Sequence, residues 1–231
     1  MVRSAVVAGV GPGFCERLAE HLGREGYAVG LFGRSEDYLE DVAADLREAG
    51  HDALAVPTDV TDPDAVTAGV DRVRDEFGCV EVLANTASVT TDPGGDVLDP
   101  DRFEHMWRLY AYGGLLCFRA AAPDLRDVGG TVLFFGAAPD AGDLAFRSGK
   151  DATRGLARSL ADEYGPEGVH VAHVVVAGSV LNPDVYERED EVDEAEHIDP
   201  EAVAETCLHL VRQPETARTF ELDVRSHVHG L

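Results

Sequence analysis

The sequence is poor in lysine: Lys150 is the single lysine among 19 basic residues, and the others are arginines. The 44 aspartates and glutamates outnumber them and give a formal net charge of −25. Such a surface repels polyanions, which argues against nucleic acids and anionic membranes as partners. The acidic excess and the lack of lysine make the composition halophile-like. The charges of such a surface repel one another in dilute buffer, whereas salt near 1 M screens them within about 3 Å. The composition therefore predicts a protein adapted to concentrated salt.

Other absences narrow the class of protein further. No window approaches 18 uninterrupted apolar residues, so we expect no transmembrane helix. The amino terminus has no signal-peptide pattern, which predicts a cytoplasmic location. Cys15, Cys79, Cys117 and Cys207 lie far apart and form no CxxC pair, which favours buried thiols over disulfides. The histidines form no HExxH pattern, and we predict no metal site.

The remaining composition indicates a folded domain. Hydrophobic residues make up 45% of the chain and recur periodically, unlike in an acidic disordered protein. Predicted strands and helices alternate throughout, and Asp-Pro pairs mark several helix starts. This alternation predicts an α/β fold, in which residues 1–231 form one three-layer domain around a doubly wound parallel sheet. The expected strand order is 3-2-1-4-5-6-7.

The most informative local pattern lies near the amino terminus. The apolar strand 4–8 is followed by Gly9, Gly11 and Gly13, and a helical pattern begins at Cys15. Strand, glycine loop and helix are typical of a dinucleotide-binding site, because glycines let a pyrophosphate approach the backbone and the helix start offers free N–H groups. A tight turn without a ligand uses glycines too, but the flanking strand and helix favour nucleotide binding.

A second signal follows the second predicted strand, over 27–32. In this fold an acid at that point bonds the ribose of NAD, whereas an arginine accommodates the 2′-phosphate of NADP. The chain has Arg34 and Ser35 there and no acid, which favours NADP and leaves NAD possible. The alternative is that Arg34 is an ordinary surface arginine paired with Glu36 or Asp37.

Five short motifs occur in an order that is known from one enzyme family. They are Gly9-x-x-x-Gly13-x-Cys15, Asp59-Val60, Leu83-Ala-Asn-Thr-Ala-Ser88, Phe146-x-x-x-Lys150 and the run from Gly165 into the sixth predicted strand. Over nearly the whole chain this set resembles the short-chain dehydrogenase/reductase family, with Cys15 in place of the third glycine of GxxxGxG. The resemblance implies a Rossmann fold and an NAD(P)-dependent oxidoreductase acting on a carbonyl or enoyl compound.

The resemblance also implies which residues contact the cofactor. The implied set is Gly9, Gly11, Gly13, Phe14, Arg34, Ser35, Asp59, Val60, Asn85, Thr86, Ala87, Lys150, Gly178 and Val180. It further implies a small-molecule substrate and a homo-dimer or homo-tetramer. The two long predicted helices, about 100–122 and 146–164, are then expected to pair with those of a second copy, because the first carries Phe103, Met106, Trp107, Tyr110 and Phe118.

The chain departs from the family pattern at the catalytic positions. The family uses asparagine, serine, tyrosine and lysine; the matching positions here are Tyr110, Ala137, Phe146 and Lys150. Phenylalanine has no proton to donate and alanine cannot orient a carbonyl, so the usual hydride-transfer route is expected to be badly impaired. The retained lysine is expected to bind the cofactor ribose.

Another group has to supply the proton if the protein is an enzyme. Tyr110 is the candidate, because a phenol close to the Lys150 ammonium has a lowered pKa; the alternative is that Tyr110 only packs between helices. Asp140 and Asp143 are weaker candidates.

Two functions therefore stay open: an atypical oxidoreductase, and a non-catalytic dinucleotide-binding module used for sensing or assembly. The acidic segment 187–196 is expected to be either a mobile lid or a solvated loop.

Overall fold

A sheet of seven parallel strands forms the centre of the molecule. The computed structural model describes residues 3–89, 98–139, 141–188 and 191–228. The strands are β1 (Arg3–Ala8), β2 (Tyr27–Gly33), β3 (Ala53–Pro57), β4 (Val80–Asn85), β5 (Thr131–Ala137), β6 (His170–Val176) and β7 (Glu221–Val224). Their order, β3-β2-β1-β4-β5-β6-β7, confirms the predicted topology.

Helices cover both faces of the sheet. They are α1 (Phe14–Arg24), α2 (Glu36–Glu48), α3 (Pro63–Phe77), α4 (Pro100–Trp107), α5 (Gly113–Val128), α6 (Leu144–Tyr164), α7 (Pro183–Arg188) and α8 (Pro200–Val211). Helices α1, α2 and α8 pack on one face, and α3, α5 and α6 pack on the other. The fold is thus the predicted three-layer, doubly wound α/β domain. None of the described helices combines the length and apolar character needed to cross a bilayer.

The two apolar layers account for the continuous hydrophobic runs in the sequence. Every residue of β2 is buried, as expected for a parallel strand covered on both faces. Phe32 and Phe134 are wholly inaccessible to solvent. Burying one such side chain contributes about 1.5–3 kcal/mol to folding.

Aspartate caps begin several helices, as the Asp-Pro pairs predict. The carboxylates of Asp62, Asp99 and Asp199 accept hydrogen bonds from backbone N–H groups of the first turns of α3, α4 and α8, and a proline follows each. Proline suits this position because its missing N–H would have no partner inside the helix.

The long helix predicted over 100–122 is divided into two helices in the structure, and the second of them extends beyond residue 122. A π-helical turn, Arg108–Tyr112, separates α4 from α5, and α5 continues through Pro123 to Val128. A proline inside a helix removes one hydrogen bond, which favoured the predicted end at residue 122. Tertiary contacts outweigh that cost: the buried Asp124 carboxylate accepts from Arg74 Nε at 3.0 Å and from the Val80 N–H at 3.1 Å.

The acidic segment 187–196 is only partly described, since residues 189–190 lie outside the described residues. It includes the end of α7 and a 3₁₀ turn, Glu194–Glu196, whose side chains are exposed. The choice between a lid and a solvated loop stays a prediction.

Candidate functional site

Two adjoining cavities lie at the carboxyl edge of the sheet. The first, here called the loop cavity, is lined by residues 9–12, 33–35 and 58–61 and has a volume of about 490 Å³. The second, here called the inner cavity, lies between the ends of β5 and β6 and the start of α6, with a volume of about 750 Å³. Ser88 lines both. Ligands of open α/β sheets bind at this edge.

The glycine loop leaves backbone surface open to the loop cavity. Gly9 has φ 104°, and a Cβ there would lie 2.2 Å from the Cα of Ala87. A Cβ on Gly11 would meet nothing within 4 Å. Gly13, with φ 116°, is the N-cap of α1 and provides no side-chain hydrogen bond to its first turn. The start of α1 therefore keeps N–H groups that suit an anion.

Arg34 and Ser35 line the loop cavity, and both side chains are exposed. Among the described residues, no ion pair joins Arg34 to Glu36 or Asp37, and the role of Arg34 in cofactor choice stays a prediction. Hydrogen bonds from the Thr61 N–H and hydroxyl, at 2.8 and 2.7 Å, lower the pKa of the Asp59 carboxyl, and the nearby Arg34 charge adds to this effect.

The end of β4 joins the two cavities. The Thr86 hydroxyl donates to the carbonyl oxygen of Gly9 at 3.0 Å and of Ala8 at 3.2 Å, which ties β4 to the glycine loop. The Asn85 amide nitrogen Nδ2 is buried and has no hydrogen-bond partner among the described residues. Asn85 and Lys150 line the same small pocket. An unpartnered donor beside an ammonium suits a ligand oxygen.

Lys150 lies at the junction of this pocket and the inner cavity. Its Nζ donates to the Phe135 carbonyl oxygen at 3.2 Å, and it lies 4.2 Å from the Tyr110 ring centroid and 5.7 Å from that of Phe146. Burial disfavours the charged form and lowers the pKa of Lys150 to about 8. An ammonium of this acidity can exchange a proton near neutral pH.

Tyr110 departs from the expected lowered pKa. Burial raises the pKa of its phenol, and hydrogen bonding with Ser88 and with the Val89 N–H only partly opposes that shift. The phenol oxygen lies 3.5 Å from Ser88 Oγ and 3.4 Å from the Val89 nitrogen. The expectation was wrong because the Lys150 ammonium lies over the ring face, where it does not stabilise a phenolate oxygen.

The two substituted positions do lie in the inner cavity. Ala137 and Phe146 both line its wall, and the Phe146 ring packs edge-to-face against Tyr110 with centroids 5.7 Å apart. Asp143 caps α6 by accepting from the Phe146 N–H at 2.9 Å, a bond that lowers the pKa of Asp143. It also pairs with Arg102 at 2.6 Å, so it is a poor proton donor. Asp140 lies outside the described residues.

Most of the predicted cofactor residues line the loop cavity, the inner cavity or the small pocket shared by Asn85 and Lys150, but Gly13 and Val180 line none of the three. Val180 forms a β-bridge with Ile198 instead. The structure adds Arg225, which follows β7 and lines the inner cavity. Two sequence signals could have indicated it: its position just after a strand, and the resemblance of the tail 219–225 to a subgroup of the short-chain dehydrogenase/reductase family.

The histidines of β6 have structural partners. His173 Nδ1 lies 3.0 Å from the Glu221 carboxylate, and His170 Nε2 lies 2.9 Å from the Thr219 carbonyl oxygen. In the described ranges, no three His, Cys, Asp or Glu side chains are grouped so that they could hold a metal ion.

Known proteins similar to this chain agree with the fold and the motifs. A family model described as short chain dehydrogenase matches residues 3–191. The short-chain reductase protein NovJ of Streptomyces niveus is 30% identical over 216 residues, which is 91% of this chain and 82% of that protein. The cis-4-hydroxycyclohexanecarboxylate dehydrogenase of Sinomonas cyclohexanicum is 33% identical over 176 residues, which is 73% of this chain and 70% of that protein.

A solved structure extends the similarity to the whole chain. The alcohol dehydrogenase from the archaeon Thermococcus sibiricus, complexed with 5-hydroxy-NADP, has a TM-score of 0.86 and 25% identity, and the match covers 99% of each chain. The family model spans most of this sequence, and the relatives match it over most of their own length. The chain therefore belongs to the short-chain dehydrogenase family.

Proposed function

We propose that this protein is an NADP(H)-dependent oxidoreductase in which Lys150 exchanges the proton with a carbonyl substrate. The observation that carries the proposal is the buried Lys150 ammonium at the wall of the inner cavity, with its pKa lowered to about 8. Neither Phe146 nor Ala137 in the same wall can move a proton. The Lys150 ammonium has three N–H donors, and one of them donates a hydrogen bond to the Phe135 carbonyl oxygen.

The residues of the loop cavity fit NADP(H). The uncapped start of α1 and the open backbone at Gly11 suit a pyrophosphate, and Arg34 suits a 2′-phosphate. The Thermococcus sibiricus enzyme, solved with 5-hydroxy-NADP, supports this choice. NADPH, when bound, supplies the hydride. Lys150 and Asn85 are the side chains that would bond its ribose.

Tyr110 is a positioning residue in this proposal. Its hydroxyl is engaged by Ser88 and Val89, whereas its ring face lies 4.2 Å from Lys150 Nζ. A cation over an aromatic face is stabilised by about 0.5–2 kcal/mol, so the ring helps to hold the ammonium in a buried place. Tyr110→Phe keeps the ring and should keep activity, whereas Tyr110→Leu should lose it.

The test combines cofactor binding with turnover. NADPH binding is measured by fluorescence, and a panel of ketones and aldehydes is then screened by loss of NADPH absorbance. The reverse reaction is assayed with NADP⁺ and cis-4-hydroxycyclohexanecarboxylate, the compound named for the 33% identical relative. Turnover that Lys150→Met abolishes and Tyr110→Phe retains supports the proposal. Turnover retained in Lys150→Met would overturn the role of Lys150.

A second candidate function is a dinucleotide-binding module for sensing or assembly. Ala137 and Phe146 favour it, because both line the inner cavity and neither carries a group for acid–base chemistry. Tight NADPH binding with no turnover across the panel would favour this function over the first.

A further inference from the structure

A hydrogen bond between two side chains joins the first turns of α1 and α2 beside the loop cavity. Tyr38 lies in the first turn of α2 and lines that cavity together with Arg34. The Tyr38 hydroxyl donates to a carboxylate oxygen of Glu16, which lies in the first turn of α1. Neither Tyr38 nor Glu16 has a role in the proposed function so far.

The position of Glu16 is unfavourable for a helix start that binds an anion. Gly13 is the N-cap of α1, so Glu16 is the third residue of the helix. In a capping box, a glutamate at this position folds back and accepts a hydrogen bond from a backbone N–H at the helix start. Its negative charge also repels an anion at the same end of the helix. An unrestrained Glu16 carboxylate would therefore compete with a pyrophosphate for those N–H groups.

Tyr38 binds this carboxylate at a distance from the helix start. Among the described residues, Glu16 accepts a hydrogen bond from Tyr38 and from no backbone N–H group. Burial, and next the hydrogen bond to Glu16, raise the pKa of the Tyr38 phenol, so the hydroxyl stays protonated and remains a donor at neutral pH. The Tyr38 ring packs against the apolar layer under α1 and α2, which fixes its position.

We infer that Tyr38 is a positioning residue for the dinucleotide: it holds the Glu16 carboxylate away from the start of α1 and so keeps the N–H groups of that turn open to the pyrophosphate. The inference rests on the proposed function for the binding of NADP(H) in the loop cavity, but not for the chemistry at Lys150. It accounts for an acidic residue in the first turn of the helix that follows the glycine loop.

Titration of NADPH and NADH into a set of variants tests the inference. Tyr38→Phe keeps the ring and removes the hydroxyl, and it should raise both dissociation constants about three- to tenfold, the order of effect that a charge at a helix end produces. Both cofactors contain the pyrophosphate, so the ratio of their affinities should stay constant. In the Glu16→Ala background, Tyr38→Phe should have no effect, because no carboxylate is left to release.

Tyr186→Phe is the matched control. The Tyr186 hydroxyl also donates to a carboxylate, that of Glu194 at 3.3 Å, but the tyrosine is 52% exposed on α7. The control should leave both dissociation constants unchanged, and circular dichroism checks that each variant is folded.

A second measurement needs no cofactor. Hydrogen exchange of the Gly13 and Phe14 backbone amides, followed by NMR on the protein alone, should be slower in Tyr38→Phe than in the wild type. The double variant Tyr38→Phe/Glu16→Ala should restore the fast exchange, since only the Glu16 carboxylate can protect those amides.

The possible results separate this inference from the proposed function. Unchanged binding in Tyr38→Phe, or a loss that persists in the Glu16→Ala background, would overturn the inference even if NADPH binds and turns over. A loss for NADPH alone would also overturn it, because that result indicates a direct contact with the 2′-phosphate. If the wild type binds neither cofactor, the proposed function fails, while hydrogen exchange still decides whether Tyr38 holds Glu16 away from the helix start.

Discussion

At the scale of single residues, the environment of Lys150 determines its chemistry. The Phe135 carbonyl oxygen accepts a hydrogen bond from its ammonium, and the rings of Tyr110 and Phe146 lie near that ammonium. Burial still dominates and lowers its pKa from 10.5 to about 8. A lysine on a solvated helix face would stay fully charged at neutral pH and would be a much weaker acid.

The first prediction is a pH dependence of carbonyl reduction. Lys150 can donate a proton only while it is protonated, so kcat should be high below about pH 8 and fall as the pH rises through that value. The oxidation direction needs the neutral amine and should show the opposite trend. The measurement is kcat against pH for the wild type and Tyr110→Phe. A profile with no inflection between pH 7 and 9 would contradict the role of Lys150.

The second prediction concerns Arg34 and the choice of cofactor. Arg34→Ala should raise the dissociation constant of NADPH about 10- to 100-fold, because it removes charge-assisted hydrogen bonds worth about 1.5–3 kcal/mol. NADH has no 2′-phosphate, so its affinity should change little. Arg47→Ala is the control, since Arg47 lies on α2 and pairs with Glu40. An unchanged NADPH to NADH ratio in Arg34→Ala would show that Arg34 does not recognise the phosphate.

At the scale of elements, the loop between β1 and α1 has two different kinds of glycine. Gly9 needs its positive φ and its lack of a side chain, since a Cβ would overlap the backbone of Ala87. Gly11 needs neither in the protein alone, because nothing lies near its missing Cβ. A side chain at position 11 is therefore expected to interfere with the bound ligand and not with the fold of the protein.

The third prediction contrasts these two glycines. Gly9→Ala should lower the free energy of unfolding by at least about 1–3 kcal/mol, the usual cost of a strained backbone conformation. Gly11→Ala should leave stability unchanged but weaken NADPH binding. Denaturant unfolding and NADPH titration of both variants provide the measurement. Equal effects of both substitutions on stability would refute the distinction.

At the scale of the whole molecule, the surface combines a large negative charge with an apolar region on α4 and α6. Phe103, Trp107 and Leu144 are 44%, 45% and 36% exposed. Met106, Tyr110 and Phe118, which were predicted to belong to the interface, are 2%, 5% and 2% exposed and belong to the protein's own core. The predicted interface is therefore smaller than the sequence suggested, and association through it stays a prediction.

The fourth prediction is association in concentrated salt. Screening of the net charge of −25 should allow two copies to meet through α4 and α6, so sedimentation in about 2 M KCl should show a dimer or tetramer. Trp107→Glu should dissociate it, whereas Tyr186→Glu, at an exposed position on α7, should not. A wild-type monomer in that salt would contradict the prediction.

The sequence by itself determined the architecture. Alternating apolar periods, Asp-Pro helix starts and the glycine loop are local signals, because each depends on neighbours within one turn or strand. They predicted the strand order. The two positions without acid–base groups, Ala137 and Phe146, came from the resemblance to the short-chain dehydrogenase/reductase family, and the structure places both in one cavity wall.

Only the tertiary structure decided the chemistry of the site. The acidity of Lys150, the raised pKa of Tyr110 and the direction of its hydroxyl depend on burial and on partners from distant segments. The same holds for Arg225, which β7 brings to a cavity that residues of α1 and α6 also line. A pKa and a cavity wall are properties of groups brought together through space, and sequence spacing does not contain those distances.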